Sequence, residues 1–171
     1  MNKYYNDKYS SAVEFERFVY DVLKEMGLVV IKHHKTKELQ LKGENSIGWE
    51  IKHDELMIKT GNVYIEIAEK SDPRNAVYVK SGIYRDDNTW MWIIGDYEEF
   101  FIIQKNLLIM LVKTGKYRKV ENERKSSIGY LVPKEVIEKY AGKVVYPEKK
   151  LMLYPIYKIA QKPEGQLQWK F

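Results

Sequence analysis

The sequence contains no cysteine, and it has no apolar run long enough to cross a membrane. Without cysteine, disulfides and thiolate metal sites are excluded, and a reducing compartment is indicated. The longest purely apolar run, from Leu107 to Val112, is far shorter than a membrane span, and the first seven residues lack the apolar core of a signal peptide. We therefore expect a cytoplasmic protein without a membrane partner.

The chain of 171 residues fits a single domain, which is long enough to form a hydrophobic core without disulfides or a structural metal. We assign residues 1–171 to that domain, with 144–171 as a C-terminal extension of irregular structure or edge strand. Lysine and arginine total 29 against 24 acidic residues, for a formal net charge of +5. This excess favours a polyanionic partner, and nucleic acid is the natural candidate.

A helix is predicted at the start of the chain, because apolar residues recur at helical spacing from Phe15 to Met26. Ser11 and Glu14 have the spacing of a capping box, and Gly27 is well placed to end the helix. Alternating or β-branched segments that predict strands follow the helix: Leu28–Ile31, Lys37–Leu41, Ile47–His53 and Val63–Glu69. The segment from Lys70 to Asn88 has no clean period and is predicted to be a long loop.

The second half of the chain predicts a hairpin and two helices. The hairpin joins Trp90–Ile94 to Phe100–Ile103, and Trp90 and Trp92 share a face that we assign to the core. Helices are predicted over Lys105–Val112 and Pro133–Ala141. The whole order predicts an α+β fold of α/β/α type, with a central mixed, mainly antiparallel sheet flanked by helices.

The strand Ile47–His53 carries the most informative chemistry of the chain. Ile47, Trp49 and Ile51 alternate with residues that include Glu50 and Lys52, so this carboxylate and this ammonium are predicted to share a strand face. A carboxylate that binds a divalent cation beside a lysine suits phosphodiester hydrolysis, in which the lysine balances developing negative charge.

A set of residues spread over the first two-thirds of the chain gives a family resemblance. It comprises Glu14, Glu50-Ile-Lys52 followed by Asp54, the segment Lys59–Glu66, and the segment 81–90. With these residues the chain resembles the PD-(D/E)xK nucleases of the restriction-endonuclease-like fold, in particular small phage-type and junction-resolvase-like members. The resemblance implies a divalent-metal-dependent DNA endonuclease that uses Mg²⁺ or Mn²⁺ and a metal-activated water. It also implies a role for Glu14 near the metal, as an alternative or an addition to capping.

The family calls for a further acid on the strand before the acid-x-lysine strand, and the sequence has no Pro-Asp there. If Leu39 and Leu41 share the core face, the hairpin register puts Glu38 on the face of Glu50 and Lys52. Glu38 is therefore our choice for the missing acid and metal ligand. Glu44 is the competing choice, although it lies at a predicted turn.

A second interpretation makes Glu50 the earlier acid and Glu66, on the next strand, the later one. The lysine position of the motif is then Ala68, so the positive charge must come from Lys52 or Lys70. In either interpretation Glu66 is a candidate catalytic residue and metal ligand, and a solvated strand residue is its structural alternative.

A basic segment from Lys113 to Lys125 is the candidate nucleic-acid contact. Interpreted as a flexible loop, it offers Lys116, Arg118 and Lys119 to phosphates and the ring of Tyr117 to an exposed base. His53, in contrast, lies on the core side of its strand and is predicted to be structural.

The sequence thus predicts a metal-dependent DNA endonuclease in which Glu38, Glu50, Lys52 and Glu66 carry the chemistry. The alternative from another class is a noncatalytic nucleic-acid-binding module that keeps a nuclease-like fold. Whether the protein forms a homodimer stays open.

Overall fold

The computed structural model describes residues 3–27, 47–148 and 150–153. The helices are α1 (Lys3–Glu25), α2 (Met57–Thr60), α3 (Lys105–Lys113) and α4 (Lys134–Glu138). A 3-10 helix spans Gly82–Tyr84. The strands are β1 (Trp49–His53), β2 (Asn62–Glu69), β3 (Val79–Lys80), β4 (Met91–Gly95), β5 (Glu99–Gln104), β6 (Arg118–Glu121), β7 (Ser127–Pro133), β8 (Gly142–Val145) and β9 (Lys150–Leu153).

The α+β prediction is confirmed, but the strands form two sheets where one central sheet was expected. A five-stranded sheet has the order β1-β4-β5-β8-β9, in which β1 and β4 are parallel and the other pairs antiparallel. A four-stranded antiparallel sheet has the order β3-β2-β7-β6. The predicted β4–β5 hairpin and the predicted strands β1 and β2 are present.

The two faces of the five-stranded sheet pack against different layers. On one face, Ile51 and Ile93 join Phe15, Val19 and Leu23 of α1 in one buried cluster. On the other face, buried Trp92 and Ile94 join a cluster that includes Val63 and Ile65 of β2. The second sheet therefore covers the face opposite α1.

Helix α1 ends as predicted but begins earlier than predicted. Its last residue is Glu25, and Gly27 follows in the left-handed region with φ of 75°. Its first residue is Lys3, so Ser11 lies inside the helix and does not cap its start. The Ser11 hydroxyl instead lies 3.1 Å from Nδ1 of His53, and this tertiary contact explains why a serine occupies a helical position.

The remaining predictions are confirmed in part and need correction in part. The segment 70–88 contains β3 and the 3-10 helix, and the basic segment contains the edge strand β6. Of the predicted tail, residues 144–145 end β8, and residues 150–153 form β9, which is an edge strand of the five-stranded sheet. Trp92 is buried as predicted, whereas Trp90 precedes β4 and is 45% exposed. The predicted strands 28–31 and 37–41 lie outside the described residues.

A helix that could span a membrane is absent from the part of the chain that the structure describes.

Candidate functional site

Glu50 and Lys52 lie side by side on β1, as the alternation predicts. Between them Ile51 is buried against α1, so both flanking side chains point away from that helix. The parallel register pairs Glu50 with Trp92 and Lys52 with Ile94, two residues of the face that the second sheet covers. Lys52 Nζ is 2.8 Å from Glu50 Oε1, and the two side chains are 42% and 21% exposed respectively.

The surroundings of Lys52 keep its ammonium charged. Burial lowers the lysine pKa, but the ion pair and hydrogen bond with Glu50, with help from the charge of Glu66, raise it above its ordinary value. The ammonium also lies 5.9 Å from the centroid of the Trp92 ring. Lys52 therefore carries a positive charge at neutral pH.

Glu66 brings a second carboxylate to this site from β2 in the other sheet. Burial raises the pKa of Glu66, and the positive charge of Lys52 and a hydrogen bond from Ser81 oppose that increase. Glu66 and Lys52 each influence the pKa of the other, so the two charges lie within electrostatic reach of each other. The fold therefore brings Glu66 of one sheet within electrostatic reach of the Glu50–Lys52 ion pair of the other.

The backbone around Glu66 is shaped to hold its side chain. The β2–β7 register slips between Glu66 and Ala68, which makes Ile67 the extra residue of a β-bulge, a feature often found where a strand aims a functional side chain. The Ser81 backbone N–H donates to the Ile67 carbonyl at 3.1 Å. Its buried hydroxyl donates to Glu66 Oε1 at 2.8 Å.

Gly82 completes this support because it allows two backbones to approach closely. Its φ is 54°, and a Cβ at this position would lie 2.1 Å from the Glu66 carbonyl oxygen. A side chain is therefore excluded both by the left-handed conformation and by the backbone of β2.

Arg85 and Glu69 belong to the same electrostatic environment, and sequence reasoning did not identify them. Arg85 Nη2 donates to Glu69 Oε1 at 2.9 Å. Burial is the main influence on the pKa of both Lys52 and Glu66, and the Arg85 charge acts on both. The only signal in the sequence was the unpatterned segment 70–88, since such segments are often functional.

Asp54, at the end of the motif, has a structural role. Its carboxylate accepts backbone N–H groups from Tyr64 at 2.8 Å and from Leu56 at 3.2 Å. Burial raises the pKa of Asp54, and these two hydrogen bonds oppose the increase. The carboxylate thus connects the end of β1 to β2 and helps align Glu66 with Lys52.

The structure does not bring Glu14 to this group of residues. Glu14 lies on α1, whose apolar side chains pack against the Ile51 face of the sheet. Its charge acts on Tyr97, whose pKa is raised by burial first and by Glu14 second. Glu38 and Glu44, the two candidates for the upstream acid, lie outside the described residues.

His53 is a structural histidine, as predicted. Its side chain is 9% exposed, and its ring stacks on Phe15 with centroids 4.6 Å apart. Asp96 Oδ1 lies 3.7 Å from its Nε2.

The basic candidates lie at the far edge of the four-stranded sheet. Lys116, Arg118 and Lys119 are exposed, as a phosphate contact requires. Tyr117 is half-buried and packs against the core between the sheets. Its ring is therefore less accessible to a base than it would be in the predicted flexible loop. Strand β7 separates β6 from β2.

The carboxylates present suit a hard divalent cation. Among residues 3–27, 47–148 and 150–153, no three His, Asp or Glu side chains form a group that could hold a metal. Mg²⁺, however, usually keeps several waters and takes only one or two protein carboxylates together with substrate phosphates. Glu50 and Glu66 have the donor chemistry that such a site uses, because both are carboxylates, and Ser81 holds Glu66 in place.

No protein-family model, curated protein or solved structure matches this chain.

Proposed function

We propose that this chain is a divalent-metal-dependent DNA endonuclease of the PD-(D/E)xK type. The observation that carries the proposal is the convergence of Glu50, Lys52 and Glu66 from strands of two different sheets. Two carboxylates and one permanent cation suit phosphodiester hydrolysis, in which charge must be balanced around a phosphate. The net charge of +5 agrees with a polyanionic substrate.

In this proposal Glu50 and Glu66 hold Mg²⁺ or Mn²⁺. The ion, when bound, polarises the phosphate and lowers the pKa of a water molecule. Ser81 keeps the Glu66 carboxylate in one orientation, and Glu50 holds the Lys52 ammonium in an ion pair of 2.8 Å. Lys52 stabilises the negative charge that develops on the phosphate.

The approach of Glu66 to Lys52 agrees with both interpretations of the motif. In one of them Glu50 is the earlier acid and Glu66 the later one. Lys52 then supplies the positive charge from the strand of the earlier acid. Glu38 stays a candidate for an additional ligand, and its removal tests that role directly.

The alternative function is a noncatalytic nucleic-acid-binding module. It is favoured by the ion pair of 2.8 Å between Lys52 and Glu50, because each charge already has a partner and such a pair also serves in an ordinary strand. A catalytic site and a binding module differ in whether DNA is cut, so a cleavage assay separates them.

The test is nicking of supercoiled plasmid with Mg²⁺, Mn²⁺ or EDTA. The parent protein should nick only with a metal, and Lys52→Ala, Glu50→Gln and Glu66→Gln should each lose about a hundredfold or more. Lys139→Ala and Glu135→Gln, at exposed positions after and within α4, are the matched controls and should keep full activity. A parent that binds DNA but never nicks it would leave the binding module as the function.

A further inference from the structure

Arg85 has the position and the surroundings of a substrate-binding residue. It follows the 3-10 helix that begins one residue after Ser81, so it stands next to the segment that supports Glu66. Its side chain is 42% exposed, so part of it is accessible from solvent. Arg85 is thus a cation at the edge of the site, and it is distinct from the buried support.

The backbone of Arg85 is held more firmly than an ordinary loop requires. The Lys105 ammonium donates to the Arg85 carbonyl oxygen at 2.8 Å and to Asp87 Oδ1 at 2.8 Å. The Lys105 and Asp87 side chains are only 10% and 6% exposed. Asp87 Oδ1 also accepts the Thr89 backbone N–H at 3.0 Å. These contacts together fix the backbone between Arg85 and Thr89 in one conformation.

The side chain of Arg85 is oriented while it keeps the capacity to bind an anion. The hydrogen bond of 2.9 Å to Glu69 uses one terminal nitrogen, whereas a guanidinium has five N–H donors in a planar fork. That fork matches phosphate oxygens in a bidentate manner. A phosphate approaching Lys52 would therefore have a second, pre-oriented cation beside it.

We propose that Arg85 binds a phosphate of the DNA backbone next to the phosphate that Lys52 faces. This inference rests on the proposed function, because it takes DNA as the substrate of the site. It assigns Arg85 to affinity and positioning, and it leaves the chemistry to Glu50, Lys52 and Glu66. The binding of the neighbouring phosphate by Arg85 then helps to position the scissile phosphate, in addition to the residues that act on it.

The experiment measures binding of the full chain to a short fluorescein-labelled DNA duplex in EDTA, by anisotropy over a series of salt concentrations. Arg85→Ala should weaken binding about tenfold and reduce the slope of log affinity against log salt by about one unit. Arg85→Lys should keep the slope, because the charge remains, but lose affinity, because the fork is gone. Arg74→Ala removes an 89% exposed arginine paired with Asp72 and should change neither quantity.

Plasmid nicking with Mg²⁺ or Mn²⁺ is measured on the same proteins, so that the two proposals can fail separately. An Arg85→Ala variant with the affinity and salt slope of the parent overturns the role of Arg85, whether or not the parent cuts DNA. A parent that binds through Arg85 but does not nick supports that role and overturns the endonuclease. A parent without affinity for DNA overturns both proposals. Circular dichroism and urea unfolding show whether each variant keeps its fold.

Discussion

The Ser81 hydroxyl donates a hydrogen bond of 2.8 Å to Oε1 of Glu66, and Ser81 itself is completely buried. A buried donor has no water to exchange with, so the hydrogen bond holds the carboxylate in one place. Glu66 is therefore positioned by a residue that lies fifteen positions later in the sequence. The next residue, Gly82, makes this approach possible.

Gly82→Ala should destabilise the protein more than Gly61→Ala. Both glycines have positive φ, 54° and 65°, but a Cβ at Gly61 meets nothing within 4 Å, whereas one at Gly82 meets the Glu66 carbonyl at 2.1 Å. The left-handed conformation costs alanine about 1–2 kcal/mol at either position. The clash should add about 1–3 kcal/mol at Gly82 alone. Urea unfolding measures both values, and equal losses would show that the Gly82–Glu66 contact is unimportant.

Glu66→Gln should remove cleavage without destabilising the fold at neutral pH. Burial raises the pKa of Glu66, so the folded state binds the proton more tightly than the unfolded state. The stability that Glu66 contributes is therefore fully present below its ordinary pKa of 4.5. It is lost as the pH rises from 4.5 to the folded pKa. Glutamine carries no charge at any pH and can still accept the hydrogen bond from Ser81.

The measurement for this prediction is thermal unfolding of parent and variant across a pH series. The stability of Glu66→Gln relative to the parent should increase as the pH rises above 4.5, the ordinary pKa of glutamate. A variant that becomes progressively less stable than the parent with rising pH would mean that the charged form is favoured in the fold. Glu135→Gln, at an exposed position of α4, should show little such trend.

Lys105→Met should be among the most damaging substitutions at a polar position. It leaves the Asp87 carboxylate buried beside no cation, and breaking such a pair costs about 3–5 kcal/mol. The double variant Lys105→Met, Asp87→Asn should recover part of that loss, because asparagine is neutral and still accepts the Thr89 N–H. Urea denaturation of the two variants compares them, and a double variant no more stable than the single one would contradict the argument.

The face on which each strand residue lies could be predicted from the sequence, whereas the packing of one sheet against the other could not. A period of two fixes which side chains share a face, and this was sufficient for Glu50 with Lys52 and for His53. It carries no information on which sheet covers that face, so the approach of Glu66 to Lys52 became visible only in the packing of the two sheets.

Arg85 could not be predicted for a different reason. It lies in a segment without period, held by a lysine that is distant in the sequence. Similarly, the capping-box pattern at Ser11 misplaced the start of α1, because that hydroxyl serves a contact with His53. Strand β6 was missed because Arg118–Glu121 is too short and too polar to show alternation.

The basic edge of the four-stranded sheet should contribute affinity and not chemistry. With only β7 between them, β6 lies roughly 10 Å from β2, close enough for one DNA molecule to contact both the site and this edge. Each phosphate contact contributes about 0.9 units to the slope of log affinity against log salt. Replacing Lys116, Arg118 and Lys119 together by alanine should therefore flatten the slope by about two to three units. Single-turnover cleavage at saturating DNA should change little.

A second triple variant distinguishes contact at this edge from a general effect of charge. Alanine at Arg17, Lys24 and Lys139 removes the same net charge from exposed positions on α1 and after α4, and it should leave most of the slope intact. Parallel salt titrations for the parent and the β6 variant would show that the edge is only solvated. Equal flattening in both triple variants would mean that the long-range field of the protein, and not contact at β6, attracts DNA.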